Sequence, residues 1–208
     1  RYDNNLFCKG CGKMAYYPIM LNIKNKKCLV VGGGKVANRK IQALLECGGQ
    51  VTVIAEELCN EVDVLYKKNK INVIKRNYVK GDIYGYFLAV SACDDSEINR
   101  LVAKEAHQHQ ILVDVVDNPE LSSYIMPSVL RRQDLTVAVA TGGKSPLLAK
   151  KIRHKLEEII GEEYGDLLEK LYKVREKIKH QDLSTEEKIK IYEDIIKGSE
   201  QNEITRAL

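Results

Sequence analysis

Four short stretches of this chain combine residue types that do chemistry. The first is Gly32-Gly33-Gly34-Lys35-Val36-Ala37, which reads G-x-G-x-x-A. In such a turn the first glycine allows a sharp exit from a strand and the second lets backbone N–H groups approach a pyrophosphate. The small third residue lets the following helix pack closely, and the helix N-terminus offers partial positive charge to the anion. Gly32, Gly34, Lys35 and Val36 are therefore candidate cofactor residues. The second stretch is Val113-Asp114-Val115-Val116-Asp117-Asn118-Pro119. Alternation sets Asp114 and Val116 on one face and leaves Asp117 just past a strand, where a carboxylate reaches a ligand. Asp before Asn-Pro is equally a turn former, and the sequence leaves both readings open. The third, Thr141-Gly142-Gly143-Lys144-Ser145-Pro146, suits an anionic group at a helix start with Lys144 as counter-charge, or a solvated loop. The fourth, Ala92-Cys93-Asp94-Asp95, would lie at the same sheet edge, but its two aspartates read better as helix caps.

These stretches need elements to hold them. Cys28 to Val31 and Val51 to Ile54 are apolar runs on either side of a helical pattern carrying Val36, Ala37, Ile41, Leu44 and Leu45, with Gly48-Gly49 as its stop. Strand, glycine turn, helix and strand in about 30 residues make the βαβ unit of a dinucleotide site. Glu56 and Glu57 follow the second strand, where an acid meets the adenosine ribose. Two acids with no nearby Arg favour NAD over NADP. Further strand-like runs fall at 71–74, 86–91, 111–116 and 135–140, and a helix capped by Asp95 or Ser96 runs over about 97–108. The expected architecture is α/β: a Rossmann-type doubly wound parallel sheet over 14–117, a segment over 118–160, and a small helical C-terminal domain over 161–208. Residues 1–13 read as an N-terminal extension.

Composition narrows the function classes. With 208 residues, 30% charged and 44% hydrophobic, the chain has the make-up of a globular protein with a sizeable core. No apolar run approaches the ~20 residues of a membrane span, and no charged-then-apolar leader opens the chain, so a cytoplasmic protein is expected. Six cysteines are too few for a disulfide scaffold. Cys28, Cys47, Cys59 and Cys93 read as small buried hydrophobes, and the lone Cys8-Lys9-Gly10-Cys11 pair is weak support for zinc. The net charge of +4 is uneven: between Pro127 and Lys155 lie seven basic residues, among them Arg131, Arg132 and Lys144, against the single acid Asp134. A local basic patch points to an anionic partner. Nucleic acid is a poor fit, because two Phe and no Trp give little stacking surface.

Taken together, these motifs resemble the precorrin-2 dehydrogenase and sirohydrochlorin ferrochelatase family, including the amino-terminal part of sirohaem synthases. The resemblance is carried by Tyr17-Pro18-Ile19-Met20-Leu21-Asn22, Val30 to Lys40, Val113 to Pro119, Tyr124-Ile125-Met126-Pro127-Ser128 and Ala140 to Ala149, in order over about 17–160. It implies oxidation of precorrin-2 to sirohydrochlorin with NAD⁺, in a homodimer whose middle segment mediates dimerisation. By the same resemblance Asp117 is catalytic, Gly32, Gly34, Lys35, Val36, Glu56 and Glu57 bind cofactor, and Thr141 lies near the active site. The polycarboxylate substrate would give the basic patch, with Arg131, Arg132 and Lys144, a purpose. Some members also insert iron. The histidines His107, His109, His154 and His180 are few, and the metal question stays open at this point. A non-catalytic NAD-sensing module would use the same glycine turn but leaves Asp117 and the basic patch without roles.

Overall fold

The computed structural model describes residues 16–207, with side chains as far as Ser199. The Cys8/Cys11 pair and the proposed extension lie outside the described residues. The chain divides into two compact units between Met126 and Pro127.

The first unit alternates strands and helices: β1 (Lys27–Val31), α1 (Lys35–Glu46), β2 (Gln50–Ile54), α2 (Asn60–Lys67), β3 (Asn72–Ile74), β4 (Leu88–Ser91), α3 (Ser96–Gln108) and β5 (Leu112–Val115). All neighbours pair in parallel, in the order β3-β2-β1-β4-β5. The apolar runs are continuous because both faces of the sheet are covered. Cys28 and Val30 join Ala37, Ile41, Leu44 and Val62 from α1 and α2 on one face. On the other, Leu29, Val31 and Val113 join Val102, Ala103 and Ala106 from α3. Cys28 behaves as a buried hydrophobe, and burial, with Cys47 nearby, pushes its thiol up to about 11.

The crossover from β3 to β4 carries no helix, and polar bonds hold it instead. Arg76 makes a two-pronged bond to Asp82 at 2.5 and 2.8 Å. The Tyr78 hydroxyl and the Gly81 N–H donate to the buried Glu105 carboxylate of α3, at 2.7 and 2.9 Å. Beyond β5, at the sheet's edge, residues 118–126 belong to this unit rather than to the segment expected to start at 118. Ser123 N donates to Val113 O at 2.8 Å, which ties the returning chain to an otherwise open strand edge.

The second unit holds an antiparallel pair, β6 (Ser128–Arg132) and β7 (Leu135–Val139), then α4 (Pro146–Ile159), α5 (Glu163–Ile178) and α6 (Thr185–Ala207). Ser145 caps α4 by accepting from Leu148 N, and Pro146 occupies its first turn. β6 was not foreseen, because Met126-Pro127-Ser128 reads as a break. Its two-residue turn, Gln133-Asp134, sets Gln133 at φ 52° without the glycine that usually advertises a hairpin.

Candidate active site at the carboxyl edge of the sheet

In the first unit the parallel strands bring four loops to one edge. Gly32 leaves β1 at φ 113°, and a Cβ there would stand 2.3 Å from Ala92 O, so only glycine fits. A Cβ on Gly33 would stand 2.1 Å from Glu57 O. Gly33 O also accepts from Cys59 N at 2.8 Å. The glycine turn is thus fastened to the chain on both sides: to the Ala92 loop after β4, and to the Glu56–Glu57 loop after β2. The sequence pattern assigned no role to this middle glycine.

Gly34 is different. It is exposed, and a Cβ there would meet nothing within 4 Å. As the N-cap of α1 it supplies no side-chain bond, so the helix begins with its first N–H groups unsatisfied by a cap. Open space above uncapped helix donors is the cradle a pyrophosphate requires, and the residues present fit a dinucleotide. Lys35, exposed, and Val36, half-buried, open that helix, and Glu56 and Glu57 stand exposed beside it. Ala37 is fully buried against the sheet. At the start of α2 the Glu61 carboxyl sits below its usual range, first through its own backbone N–H, then through Cys59, with Lys35 adding charge.

The Ala92 loop resolves into a cap: Asp95 accepts from Glu97 N at 2.8 Å and Ile98 N at 3.4 Å. Asp117 follows β5, two strands from β1 in the sheet order, hence roughly 10 Å away across the edge. It is exposed and sits at φ 60° in a turn closed by Asn118 N to Val115 O at 3.0 Å. Holding a non-glycine residue there costs about 1 kcal/mol. Asp117 is thus the turn former that one of the two readings expected, and its side chain is exposed rather than buried.

Asp114, its partner in the sequence pattern, goes inward. It is buried and accepts from Lys40 Nζ of α1 at 2.6 Å. Nearby Tyr124 is held well above its usual pKa, chiefly by burial and then by the Asp114 charge, so its hydroxyl stays protonated. The Lys40–Asp114 pair escaped the sequence reading because 74 positions separate its members. One polar atom of α1, Asn38 Oδ1, is buried without a partner.

In the second unit, Thr141 Oγ1 accepts from Ser145 N at 3.1 Å and donates to Ser145 O at 3.0 Å, closing the loop that carries Gly142, Gly143 and exposed Lys144. Arg131 and Arg132 point to opposite sides of β6, as successive strand residues do. Arg131 is exposed. Arg132 is largely covered: its Nε donates to Ile160 O at 2.9 Å, and Nη1 lies 3.4 Å from Glu162. That guanidinium satisfies the end of α4, an employment the sequence pattern did not foresee. Among the described residues no three His, Cys, Asp or Glu side chains gather as metal ligands. His107 Nε2 lies 3.1 Å from Leu121 O, His109 packs edge-on against Tyr84, and His154 lies 3.0 Å from Glu157. Among the described residues no helix is long and apolar enough to cross a membrane.

Comparison with known proteins agrees with the fold. A family model described as NAD(P)-binding matches residues 19–128, and one described as the sirohaem biosynthesis protein central region matches 132–159. A siroheme synthase of Vesicomyosocius okutanii subsp. Calyptogena okutanii is 40% identical over 185 residues, covering 89% of this chain and 40% of that protein. The siroheme synthase of Chromobacterium violaceum is 38% identical over 185 residues, with 89% and 39% covered. The chain thus spans about two fifths of the length of these relatives. Among solved structures, SirC, a precorrin-2 dehydrogenase, superposes with a TM-score of 0.75 at 29% identity, covering 87% of this chain and 89% of that one. The chain belongs to this NAD(P)-binding family, and its residues 132–159 match the central region of sirohaem biosynthesis proteins.

Proposed function

We propose that this chain is an NAD-dependent dehydrogenase that oxidises precorrin-2 to sirohydrochlorin in the cytoplasm. The observation that carries the reading is the outward carboxylate of Asp117 on the same sheet edge as the open Gly34 cradle. The match to a precorrin-2 dehydrogenase over 87% of this chain and 89% of that one supports the substrate. Glu56 and Glu57, exposed beside the turn, support NAD over NADP, because a 2′-phosphate there would meet two carboxylates. Free thiols at Cys28, Cys59 and Cys93 suit a reducing compartment.

Dehydrogenation removes a hydride and a proton from the reduced macrocycle. When bound, NAD⁺ supplies the hydride acceptor. The chain's own work is positional and acid–base. The α1 N-terminus and Lys35 hold the pyrophosphate, with Val36 beside them, and Glu56 or Glu57 takes the ribose hydroxyl. Asp117 accepts the proton and, being exposed, returns it to solvent. Arg131 and Lys144 offer charge to the substrate's carboxylates, while Thr141, whose hydroxyl is bonded to Ser145, holds the loop that carries Lys144. Arg132, engaged at the end of α4, adds potential rather than a direct bond.

The second unit supports a homodimer. Its two-stranded sheet is only partly buried, and Leu147, Leu148 and Ile159 are exposed on α4. A pair of strands in water is marginal without further cover.

The direct test of the reaction is Asp117→Ala. Formation of NADH from precorrin-2 and NAD⁺, followed by absorbance, should fall by about 10²-fold or more while NAD⁺ binding by fluorescence titration is retained. Undiminished turnover would remove Asp117 from the mechanism.

A further inference from the structure

The Asp117 turn is held by more than its own backbone. Upstream, Val116 N donates to Ser91 O at 2.9 Å, which ends the β4–β5 ladder and leaves the next residues without strand partners. A left-handed aspartate at such a place persists only where its surroundings over-determine it. The bonds that do so converge on one hydroxyl. Ser122 Oγ accepts from Val115 N at 2.9 Å and donates to Asn118 O at 2.9 Å, with Val115 O at 3.3 Å as its alternative acceptor. Ser122 N adds a bond to Pro119 O at 3.2 Å. A single side chain therefore spans the turn, touching the residue two before Asp117 and the residue one after it.

Ser123 supplies an internal contrast. Its hydroxyl accepts from Val113 N at 2.8 Å and has Val113 O at 3.3 Å. Both contacts are to one residue, inside the strand, so they pin the strand edge without crossing the turn. Two adjacent serines of like chemistry thus differ in whether the hydroxyl bridges the backbone on both sides of Asp117, and in exposure, Ser122 being half-buried and Ser123 exposed.

We infer that Ser122 is a positioning residue for the reaction: its hydroxyl clamps the turn so that the Asp117 carboxylate stays in a fixed place at the sheet edge. The inference rests on the reading of Asp117 as the proton acceptor. Loss of the bridge frees the turn to relax toward right-handed backbone, which re-aims the carboxylate without touching the glycine turn or the nucleotide cradle. A displacement of a reacting group by about 1 Å is enough to cost one to two orders of magnitude in rate.

The test is steady-state kinetics of NADH formation with Ser122→Ala, Ser123→Ala and Asp117→Ala, beside melting temperatures. Ser122→Ala should lower kcat on the order of tenfold with KM for NAD⁺ unchanged. Ser123→Ala should keep wild-type kcat although it lowers the melting temperature by a similar amount. Ser122→Thr, which retains the hydroxyl, should recover most of the rate, and Ser122→Val should not. That pair decides the matter if Ser122→Ala fails to fold. Wild-type kcat in Ser122→Ala, or in Ser122→Val, with Asp117→Ala inactive, overturns the clamp alone, as does an equal kcat loss in Ser123→Ala. Wild-type turnover by Asp117→Ala overturns the proton-acceptor reading and the clamp with it.

Discussion

The five-stranded sheet of the first unit lies between two apolar clusters, whereas the buried hydrophobic residues of the second come down to Leu130, Ala149 and Ile178 among those described. The glycines repeat the contrast. Gly32 and Gly33 are pressed against neighbouring backbone, while Gly142 and Gly143, at φ 61° and 79°, have nothing within 4 Å of where a Cβ would be. One unit fixes its geometry from within. The other presents basic side chains and uncovered α4 leucines, the features of a surface completed by something else.

The strongest way to break this contrast is to remove the same type of side chain from each unit. Leu29→Ala empties a fully buried position and should cost about 3–4 kcal/mol, read from urea unfolding followed by circular dichroism. Leu147, 64% exposed, should tolerate Ala with almost no change in the unfolding free energy. Leu147→Asp should instead shift the sedimentation mass toward the monomer, because it places charge on the proposed dimer surface. Equal losses from the two alanine variants would mean that the second unit holds a core of its own.

A smaller effect separates the two glycine loops. Gly33→Ala must displace the Glu57 carbonyl and with it the loop after β2, so a loss of about 2–3 kcal/mol and weakened NAD⁺ binding are expected. Gly143→Ala meets no atoms and pays only for its left-handed backbone, about 1 kcal/mol. Thermal melts with and without NAD⁺ distinguish the two. If Gly143→Ala proved the more damaging, the open loop would be as constrained as the closed one.

The degree of packing also explains what the sequence revealed. The first unit was legible nearly throughout, since strands buried on both faces leave continuous runs such as Cys28 to Val31, and α1 and α3 carry helical periodicity with recognisable boundaries. Asp95 as a cap and Ser145-Pro146 as a helix start were legible for the same local reason. β6 was hidden because its pattern is broken by Pro127 and its turn lacks glycine. The placement of Asp117 at a strand end could be read, but its support could not. Ser122, Lys40 and Glu105 act through partners set by the fold, and no spacing rule announces them.

The smallest expected effect is electrostatic and sharpens the contrast at low pH. Hydrogen bonds from Arg76, and then from Val79 N, hold the Asp82 carboxyl below its ordinary value of 3.8, despite the opposing push of burial. A carboxylate whose folded pKa is depressed stabilises the protein above its unfolded pKa, and that contribution disappears as pH falls through the folded value. The stability tied to Asp82 should therefore be complete at pH 6, begin to fade below about pH 4, and be gone once the folded carboxyl is protonated. Asp82→Asn should lower the melting temperature by about 2 °C at pH 6, and the gap to wild type should close on acidification. In the second unit the Arg132–Glu162 pair has its glutamate largely in water and is therefore screened. Glu162→Gln should leave the melting temperature near that of wild type. A gap for Asp82→Asn that stayed constant from pH 6 to pH 2 would show that the asparagine loses packing rather than charge, and would remove the electrostatic brace from the β3–β4 crossover.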